Sequence, residues 1–248
     1  MSKIKVLCGS TKDEISKRKN FIEMLLNTPI PKEELIHNLG LFLNRHTLSR
    51  ILFMHELYKK ILEVHGVIIE FGVRWGQNLS LFTSFRGMYE PFNYNRKIIG
   101  FDTFEGFTKL DEKDGNIVGG GDYSVIPGYE KLLEEILNYH ESENPILHKK
   151  KFEIIKGDAV KTFPKYIKDN PETIIAMAYF DFDIYQPTKT CLELTLKRVT
   201  KGSVLAFDEL NTPEFPGETL ALLEVVGLNK YAIKRSALNP LCSYMVIE

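Results

Sequence analysis

The sequence has few cysteines and no long apolar run. Its three cysteines, Cys8, Cys191 and Cys242, are too widely spaced for a disulfide framework or a Cys-x-x-Cys metal site. The longest nearly unbroken apolar run, residues 174–180, is far shorter than the about 20 residues that cross a bilayer. The first five residues lack the apolar stretch of a signal peptide. These absences favour a reduced, cytoplasmic protein with no membrane partner.

Neither sign of charge is in excess. The 248 residues include 32 Lys and Arg and 33 Asp and Glu, which gives a formal net charge of −1. Nucleic-acid-binding proteins usually carry a basic patch or stripe, so this balance disfavours a nucleic-acid partner. With 44% hydrophobic and 26% charged residues, the composition is that of a globular chain of one or two domains.

The hydrophobic pattern changes near residue 66. Before this point, helical spacing of apolar residues predicts three helices, over residues 14–26, 35–42 and 48–62. Thr47 is a candidate N-cap of the third helix, whose predicted apolar face consists of Leu48, Ile51, Leu52, His55, Tyr58 and Leu62. We therefore predict an N-terminal helical cap over residues 1–65 and a second domain over residues 66–248.

The second domain alternates short apolar runs with helical stretches, which predicts a doubly wound α/β sheet. The runs are apolar almost throughout, as in a parallel sheet covered on both faces. The predicted strands cover residues 67–71, 97–101, 152–156, 174–180 and 203–207, and the helices cover 77–88, 129–140, 159–169, 187–198 and 217–226. Two last candidates, 231–234 and 243–247, predict an antiparallel hairpin at the sheet edge.

Residues 108–128 carry no periodic pattern, but they include four acidic residues and five glycines. Such a stretch is either a mobile surface loop or a lid over a site. The sequence leaves both interpretations open.

Acidic residues stand at the end of each of the five central predicted strands. Ligands of a parallel α/β sheet bind beyond the carboxyl ends of its strands, so we expect these side chains to line one site. Any one of them could instead cap a helix, but a whole row needs hydroxyl groups, an amine or a metal ion opposite it. The residues are Glu70, Asp102, Asp158, Asp181 with Asp183, and Asp208 with Glu209.

The turn after the first strand, from Gly72 to Gly76, differs from the G-x-G-x-x-G dinucleotide motif, which disfavours an NAD enzyme. A carboxylate at Glu70 repels a pyrophosphate and favours a cationic ligand. Asp102, at the end of the next strand, is placed like the acid that binds ribose hydroxyls. Together these features favour an adenosine ligand with a positive charge and no phosphates, a description that S-adenosylmethionine fits.

From about residue 45 to the C-terminus, the chain resembles the class I S-adenosylmethionine-dependent methyltransferases. It is similar to their macrocin O-methyltransferase (TylF-like) family of sugar O-methyltransferases. The resemblance rests on the ordered motifs at residues 67–76, 100–107, 157–158, 179–188 and 202–209. It implies a Rossmann-like, mostly parallel sheet with an antiparallel C-terminal edge hairpin. It also implies cofactor-binding residues: Glu70, Gly72 and Gly76 at the methionine part, Asp102 at the ribose, Phe104 near the adenine, Asp158 at the adenine edge, and Asp181.

The resemblance further implies a divalent metal ion, usually Mg2+, bound by Asp181, Asp208 and Glu209, with Asp181 and Asp208 catalytic. Where relatives have two aspartates, this chain has Asp208 and the longer Glu209. Mg2+ prefers oxygen ligands, and it would lower the pKa of an acceptor hydroxyl that attacks the sulfonium methyl. The alternative is that these two residues only cap a turn.

The expected function is O-methylation of a sugar or sugar-like small molecule, as the resemblance implies. Two alternatives stay open: another small diol or oxyanion acceptor at the same site, and a non-catalytic nucleoside-binding protein of the same fold. The sequence names no general base, and it leaves open whether the protein is a homo-oligomer.

Overall fold

The computed structural model describes residues 9–248, so Cys8 and the first residues of the predicted cap lie outside the described part. Three helices begin the described chain: α1 (Lys12–Leu26), α2 (Lys32–Leu35), which continues into a 3-10 turn (Ile36–Phe42), and α3 (Arg45–Lys60). Helices α1 and α2 bury none of their residues. Within residues 9–248, no helix is both long and apolar enough to cross a bilayer.

A seven-stranded sheet follows, in the order β3-β2-β1-β4-β5-β7-β6. Strands β1 to β5 run parallel, and β7 and β6 are antiparallel additions at one edge. This arrangement confirms the predicted α/β fold and its edge hairpin. The strands are β1 (Val67–Phe71), β2 (Ile98–Asp102), β3 (Phe152–Lys156), β4 (Ile175–Phe180), β5 (Val199–Phe207), β6 (Lys234–Arg235) and β7 (Ser243–Val246).

Helices cover both faces of the sheet. They are α4 (Gln77–Tyr89), α5 (Tyr129–Ser142), α6 (Ala159–Asp169), α7 (Tyr185–Thr195) and α8 (Pro216–Val225). Apolar side chains of α3, α4 and α5 form one core cluster, and those of α6, α7 and α8 form the other. The predicted boundary at residue 65 stays a prediction, but α3 shares its core with the sheet. The strand order reverses between β1 and β4, which places the expected ligand crevice at their carboxyl ends.

Helix α3 differs from its prediction in both its start and its buried face. Its N-cap is Asn44, whose Oδ1 accepts the N–H groups of His46 and Thr47, so the prediction that Thr47 is the cap is wrong. Leu48 and Leu52 are exposed rather than buried. The buried positions are Phe53, Met54, Leu57 and Tyr58, because that face meets the sheet.

Strand β6 is shorter than predicted. Only Lys234 and Arg235 pair with β7, opposite Tyr244 and Ser243. Residues 231–233 have no partner strand among residues 9–248, so the predicted strand at 231–234 is wrong in its extent.

The segment 108–128 packs against the body of the protein. Phe107 and Val118 form a small buried cluster with Ile184 and Phe215. Asp114 is 2% exposed, and its Oδ1 accepts the backbone N–H of Tyr185 at 2.6 Å. The segment therefore forms a wall at the start of α7, held by a long-range hydrogen bond.

Candidate functional site

A cavity of about 420 Å3 opens at the carboxyl ends of β1, β2, β4 and β5. Its size falls within the range of small-molecule sites, about 300–1,000 Å3. Eight of the predicted site residues line it: Glu70, Gly72, Gly76, Asp102, Asp158, Asp181, Asp208 and Glu209. The ninth, Phe104, does not line the cavity, and its side chain is buried in the core cluster formed with α3, α4 and α5.

Asp102 ties together the turns that follow β1 and β2. Its Oδ2 accepts the backbone N–H groups of Val73 at 2.6 Å and Arg74 at 2.7 Å. Its Oδ1 accepts the N–H of Phe104 at 2.5 Å. Burial raises the pKa of Asp102, although these hydrogen bonds act against that rise. Since each carboxylate oxygen has about two acceptor sites, Oδ1 retains one for a hydroxyl group in the cavity.

Asp158 is the N-cap of α6, and its Oδ1 accepts the N–H of Val160 at 3.0 Å. The capping role that the sequence left open for a single acidic residue is therefore present here. Asp158 lines the cavity as well, so the two roles do not exclude each other.

Glu70 is a buried carboxyl group at the end of β1, with 1% of its surface exposed. Its Oε1 accepts the side-chain amide of Asn78 at 2.7 Å, while Oε2 has no hydrogen-bond partner in the described chain. Burial raises the pKa of Glu70 to about 8, and the negative charges of Asp102 and Asp208 add to the rise. A cationic ligand beside Glu70 would favour its ionised form.

Replacing this carboxyl group, in the substitution Glu70→Gln, is expected to remove a pH dependence of stability. The pKa of Glu70 rises from 4.5 to about 8 on folding, so the folded protein keeps a proton that the unfolded chain has released. That contribution is complete below pH 4.5 and is lost as the pH rises toward 8. Wild type should therefore lose about 3 kcal/mol relative to the Gln variant between pH 5 and pH 8. Urea unfolding of the ligand-free proteins at each pH measures this difference in unfolding free energy. The same dependence of that free energy on pH in both proteins would contradict the prediction.

Arg50 is a site residue that was not predicted from the sequence. It extends from α3 and lies between two of the predicted metal ligands. Its Nη1 lies 2.9 Å and 3.1 Å from the two carboxylate oxygens of Asp208, and its Nη2 lies 2.8 Å from Oδ2 of Asp181. Arg50 lies three residues before Phe53 and four before Met54, so it shares their helix face. If the face of α3 that carries Phe53 and Met54 had been predicted to be buried, the position of Arg50 on that face would have indicated a site residue.

Asp208 has further hydrogen-bond donors besides Arg50. Its Oδ1 accepts the hydroxyl of Tyr179 and, at 3.1 Å, the thiol of Cys242. Burial alone would raise the pKa of Asp208, but the charge of Arg50 and these hydrogen bonds hold that pKa below its usual value. By contrast, burial and the neighbouring Asp208 raise the pKa of Asp181 well above its usual value.

The carboxylates of Asp181, Asp208 and Glu209 form a cluster that fits a hard dication. One oxygen from each lies within 4.8 Å of the others. Within residues 9–248, no N–H or alcohol O–H group donates a hydrogen bond to the buried Oε2 of Glu209. Burial and pairing with Asp183 raise the pKa of Glu209 far above its usual range. An oxygen-only donor set, with one oxygen of each carboxyl group within 4.8 Å of the others, matches the ligand chemistry of Mg2+.

The remaining wall of the cavity combines an arginine and an aromatic ring. The guanidinium of Arg74 lies 5.0 Å from the ring centre of Tyr123. Tyr123 and Thr108 both come from the segment 108–128 and line the cavity. That segment therefore borders the site, as the lid interpretation required, and it does so while packed against α7.

No protein-family model matches the chain, and no curated protein sequence matches it. Several solved structures match the chain. The chain is 40% identical to CalS11, a calicheamicin methyltransferase, over 99% of this chain and 97% of that one, with a TM-score of 0.93. A second structure of CalS11, without ligand and described as a TDP-rhamnose 3'-O-methyltransferase of calicheamicin biosynthesis, is 39% identical, covers 97% and 96%, and has a TM-score of 0.86. The O-methyltransferase NovP, at 15% identity over 80% and 79% and a TM-score of 0.57, shares the fold.

Proposed function

The chain belongs to the S-adenosylmethionine-dependent O-methyltransferase family that includes CalS11, and from this premise we propose that it methylates a hydroxyl group of a nucleotide-linked sugar. CalS11 is described as acting on TDP-rhamnose, and that acceptor class is carried over to this chain as part of the proposal. The placement within the narrower TylF-like family, and the division into a cap (1–65) and a cofactor-binding domain (66–248), belong to the proposal too.

One observation carries the proposal: the acidic ends of β1, β2, β4 and β5 line the same cavity as the glycine turn. The first half of that cavity supports cofactor binding. Glu70 would face the sulfonium, the Gly72–Gly76 turn would let the methionine part approach the backbone, and Oδ1 of Asp102 would accept one ribose hydroxyl. Asp158 would lie at the adenine edge, and the backbone N–H of Phe104 donates to the Asp102 carboxylate that would bind the ribose.

The second half supports the transfer itself. The acceptor hydroxyl oxygen would form a bond to the sulfonium methyl while the methyl–sulfur bond breaks. The bonding electron pair would stay on sulfur, giving S-adenosylhomocysteine, and the hydroxyl proton would pass to a carboxylate of the acidic cluster. Asp181, Asp208 and Glu209 would hold a divalent metal ion, which lowers the pKa of the acceptor hydroxyl when it is bound. Asp181 and Asp208 would fix the acceptor in line with the methyl group, and this positioning supplies much of the rate enhancement. The packed segment 108–128 would keep water away from the reacting atoms.

A methyl-transfer assay with a matched acceptor panel tests the proposal. The panel contains a TDP-deoxyhexose, the free deoxyhexose and a catechol, each with methyl-labelled S-adenosylmethionine. Label is expected on the nucleotide-linked sugar and not on the catechol. Label on the catechol alone would contradict the acceptor class. S-adenosylhomocysteine binding without transfer to any acceptor would indicate a non-catalytic binding protein.

Removal of metal tests the ion separately. Treatment with EDTA is expected to lower turnover at least tenfold, and added Mg2+ should restore it. The affinity for S-adenosylhomocysteine, measured by calorimetry in the same samples, should stay within threefold of its starting value. Turnover that is unaffected by EDTA would contradict the metal ion and leave the methyl transfer proposed above in place.

A further inference from the structure

Arg50 holds the same carboxylate oxygens that the metal ion would use. Its Nη1 contacts both oxygens of Asp208, and its Nη2 contacts Oδ2 of Asp181, at 2.8–3.1 Å. These side chains are one quarter exposed or less. We propose that Arg50 and the divalent cation compete for Asp181 and Asp208, so that the metal ion binds only when the guanidinium leaves them. This inference rests on the metal site of the proposed function.

The hydrogen bonds of Asp208 indicate which oxygen is contested. Oδ1 accepts Tyr179, Cys242 and Arg50, which already exceeds the about two acceptor sites of a carboxylate oxygen. Oδ2 accepts only Arg50 among the described residues, at 3.1 Å. The metal-facing oxygen is therefore Oδ2, and Arg50 is the partner that must yield it.

Distance also makes the two cations alternatives. Mg2+ binds oxygen at about 2.1 Å, and the guanidinium nitrogens lie 2.8–3.1 Å from the same oxygens. Two cations on one oxygen would thus lie within about 5 Å of each other, at a mostly buried site where their repulsion is weakly screened. The metal ion therefore binds Asp181 and Asp208 most tightly once the guanidinium has moved away from them.

The charges around the cavity explain why a cation is present there without metal. Arg50 and Arg74 are the two cations among its described lining residues, against seven acidic ones: Glu70, Asp102, Asp158, Asp181, Asp183, Asp208 and Glu209. A buried carboxylate that loses its partner is strongly destabilising. Arg50 therefore balances the charge of Asp208 and also contacts Asp181 until a dication replaces it.

The Arg50 guanidinium can reach another hydrogen-bond acceptor by rotation of its side chain, without movement of α3. Phe53 and Met54, one turn further along α3, are fully buried, which fixes the backbone at Arg50. Nε of Arg50 lies 3.5 Å from Oδ1 of Asn78, and the amide of Asn78 donates to Glu70. A rotation of the side chain toward this pair would free Asp181 and Asp208 while keeping an acceptor for the guanidinium.

Binding of Mn2+, followed by electron paramagnetic resonance, tests the competition without any turnover. The proteins are metal-stripped wild type, Arg50→Met, Arg50→Lys and Arg74→Met. Arg50→Met should bind Mn2+ at least tenfold more tightly than wild type, because the competing cation is gone. Arg50→Lys keeps one charge but cannot bridge both carboxylates, and should fall between the two. Arg74→Met removes the other cavity cation. Among the described residues Arg74 forms no ion pair with Asp181 or Asp208, so this variant should change the affinity less than threefold.

Thermal unfolding supplies a second readout of the same variants. Without metal, Arg50→Met should melt below wild type, and Mn2+ should raise its melting temperature more than it raises that of wild type. Mn2+ binding to Arg50→Met that is equal to or weaker than that of wild type would overturn the competition. If Arg50→Met fails to fold, Arg50→Lys decides by the same criterion.

The controls separate failure of this inference from failure of the proposed function. Each sample is also titrated with S-adenosylhomocysteine and assayed for methyl transfer. Equal Mn2+ affinity in all variants overturns the competition alone. No Mn2+ binding in any variant, with normal nucleoside binding and transfer, overturns both the competition and the metal site. Loss of nucleoside binding in wild type would instead contradict the cofactor site.

Discussion

Asp208→Asn should lower the rate of methyl transfer by a factor on the order of 10^3. Asp208 follows β5, on the side of the cavity that we propose holds the acceptor, and its carboxylate accepts hydrogen bonds from Arg50, Tyr179 and Cys242. An amide carries no negative charge, so it holds a dication poorly and turns a donor toward groups that are themselves donors. Both the charge and the geometry of the acceptor site are lost.

The same variant should keep the cofactor. The Gly72–Gly76 turn, Asp102 and Asp158 do not hydrogen-bond to the Asp208 side chain, so the affinity for S-adenosylhomocysteine should stay within threefold by calorimetry. Asp169→Asn is the matched control, because Asp169 is exposed, pairs with Lys165 and is not a lining residue. Its rate should equal that of wild type. A near-normal rate for Asp208→Asn would remove this residue from the proposed mechanism.

Gly72→Ala should destabilise the protein by about 3–5 kcal/mol, the sum of backbone overpacking and a left-handed conformation. Gly72 has φ +88°, and an added Cβ would lie 1.9 Å from the carbonyl oxygen of Asp181. Because that neighbour is backbone, no side-chain rotation relieves the clash. The ends of β1 and β4 would have to separate, and Asp181 would move with them.

Gly121→Ala distinguishes the clash from the conformation. Gly121 has φ +81° with no atom within 4 Å of an added Cβ, so only the conformational cost of about 1–2 kcal/mol applies. Urea unfolding measures both variants, and nucleoside titration should show weaker binding for Gly72→Ala alone. Equal losses of stability in the two variants would contradict a close approach of β1 and β4 as the reason for this glycine.

The sheet was predictable because its central strands are buried on both faces. Residues 67–71 and 174–180 are apolar enough to be identified from sequence alone, and the structure places β1 at Val67–Phe71 and β4 at Ile175–Phe180. The acidic residues at their ends then meet in one cavity, since parallel strands end at the same edge. For this reason the composition of the candidate site was largely accessible, although its hydrogen bonds were not.

The face of α3 was not predictable from periodicity. Leu48 and Leu52 lie four residues apart, as Phe53 and Leu57 do, so both pairs form apolar stripes at helical spacing, but only the second stripe is buried against the sheet. Packing against the sheet, and not the spacing of the apolar residues, determines which of the two stripes is buried. With the first stripe assumed to be buried, Arg50 fell on the exposed side, and its contact with Asp208 was missed.

The packing of residues 108–128 depended on partners far away in the sequence. Asp114 accepts the N–H of Tyr185, 71 residues later, and Phe107 meets Phe215 in a small apolar cluster. Glycine and aspartate are also abundant in solvated loops, so composition could not separate the two cases. A local pattern does not encode a contact of this range.

The ion pairs of Arg50 have a consequence for recombining parts of related enzymes. A chimera joined at residue 65 would combine the arginine of one parent with the carboxylates of the other, and would also divide the apolar layer beneath α3. A junction ahead of Asn44 keeps the helix, its cap and both carboxylates in one parental segment. Crossover points for specificity engineering therefore belong before α3.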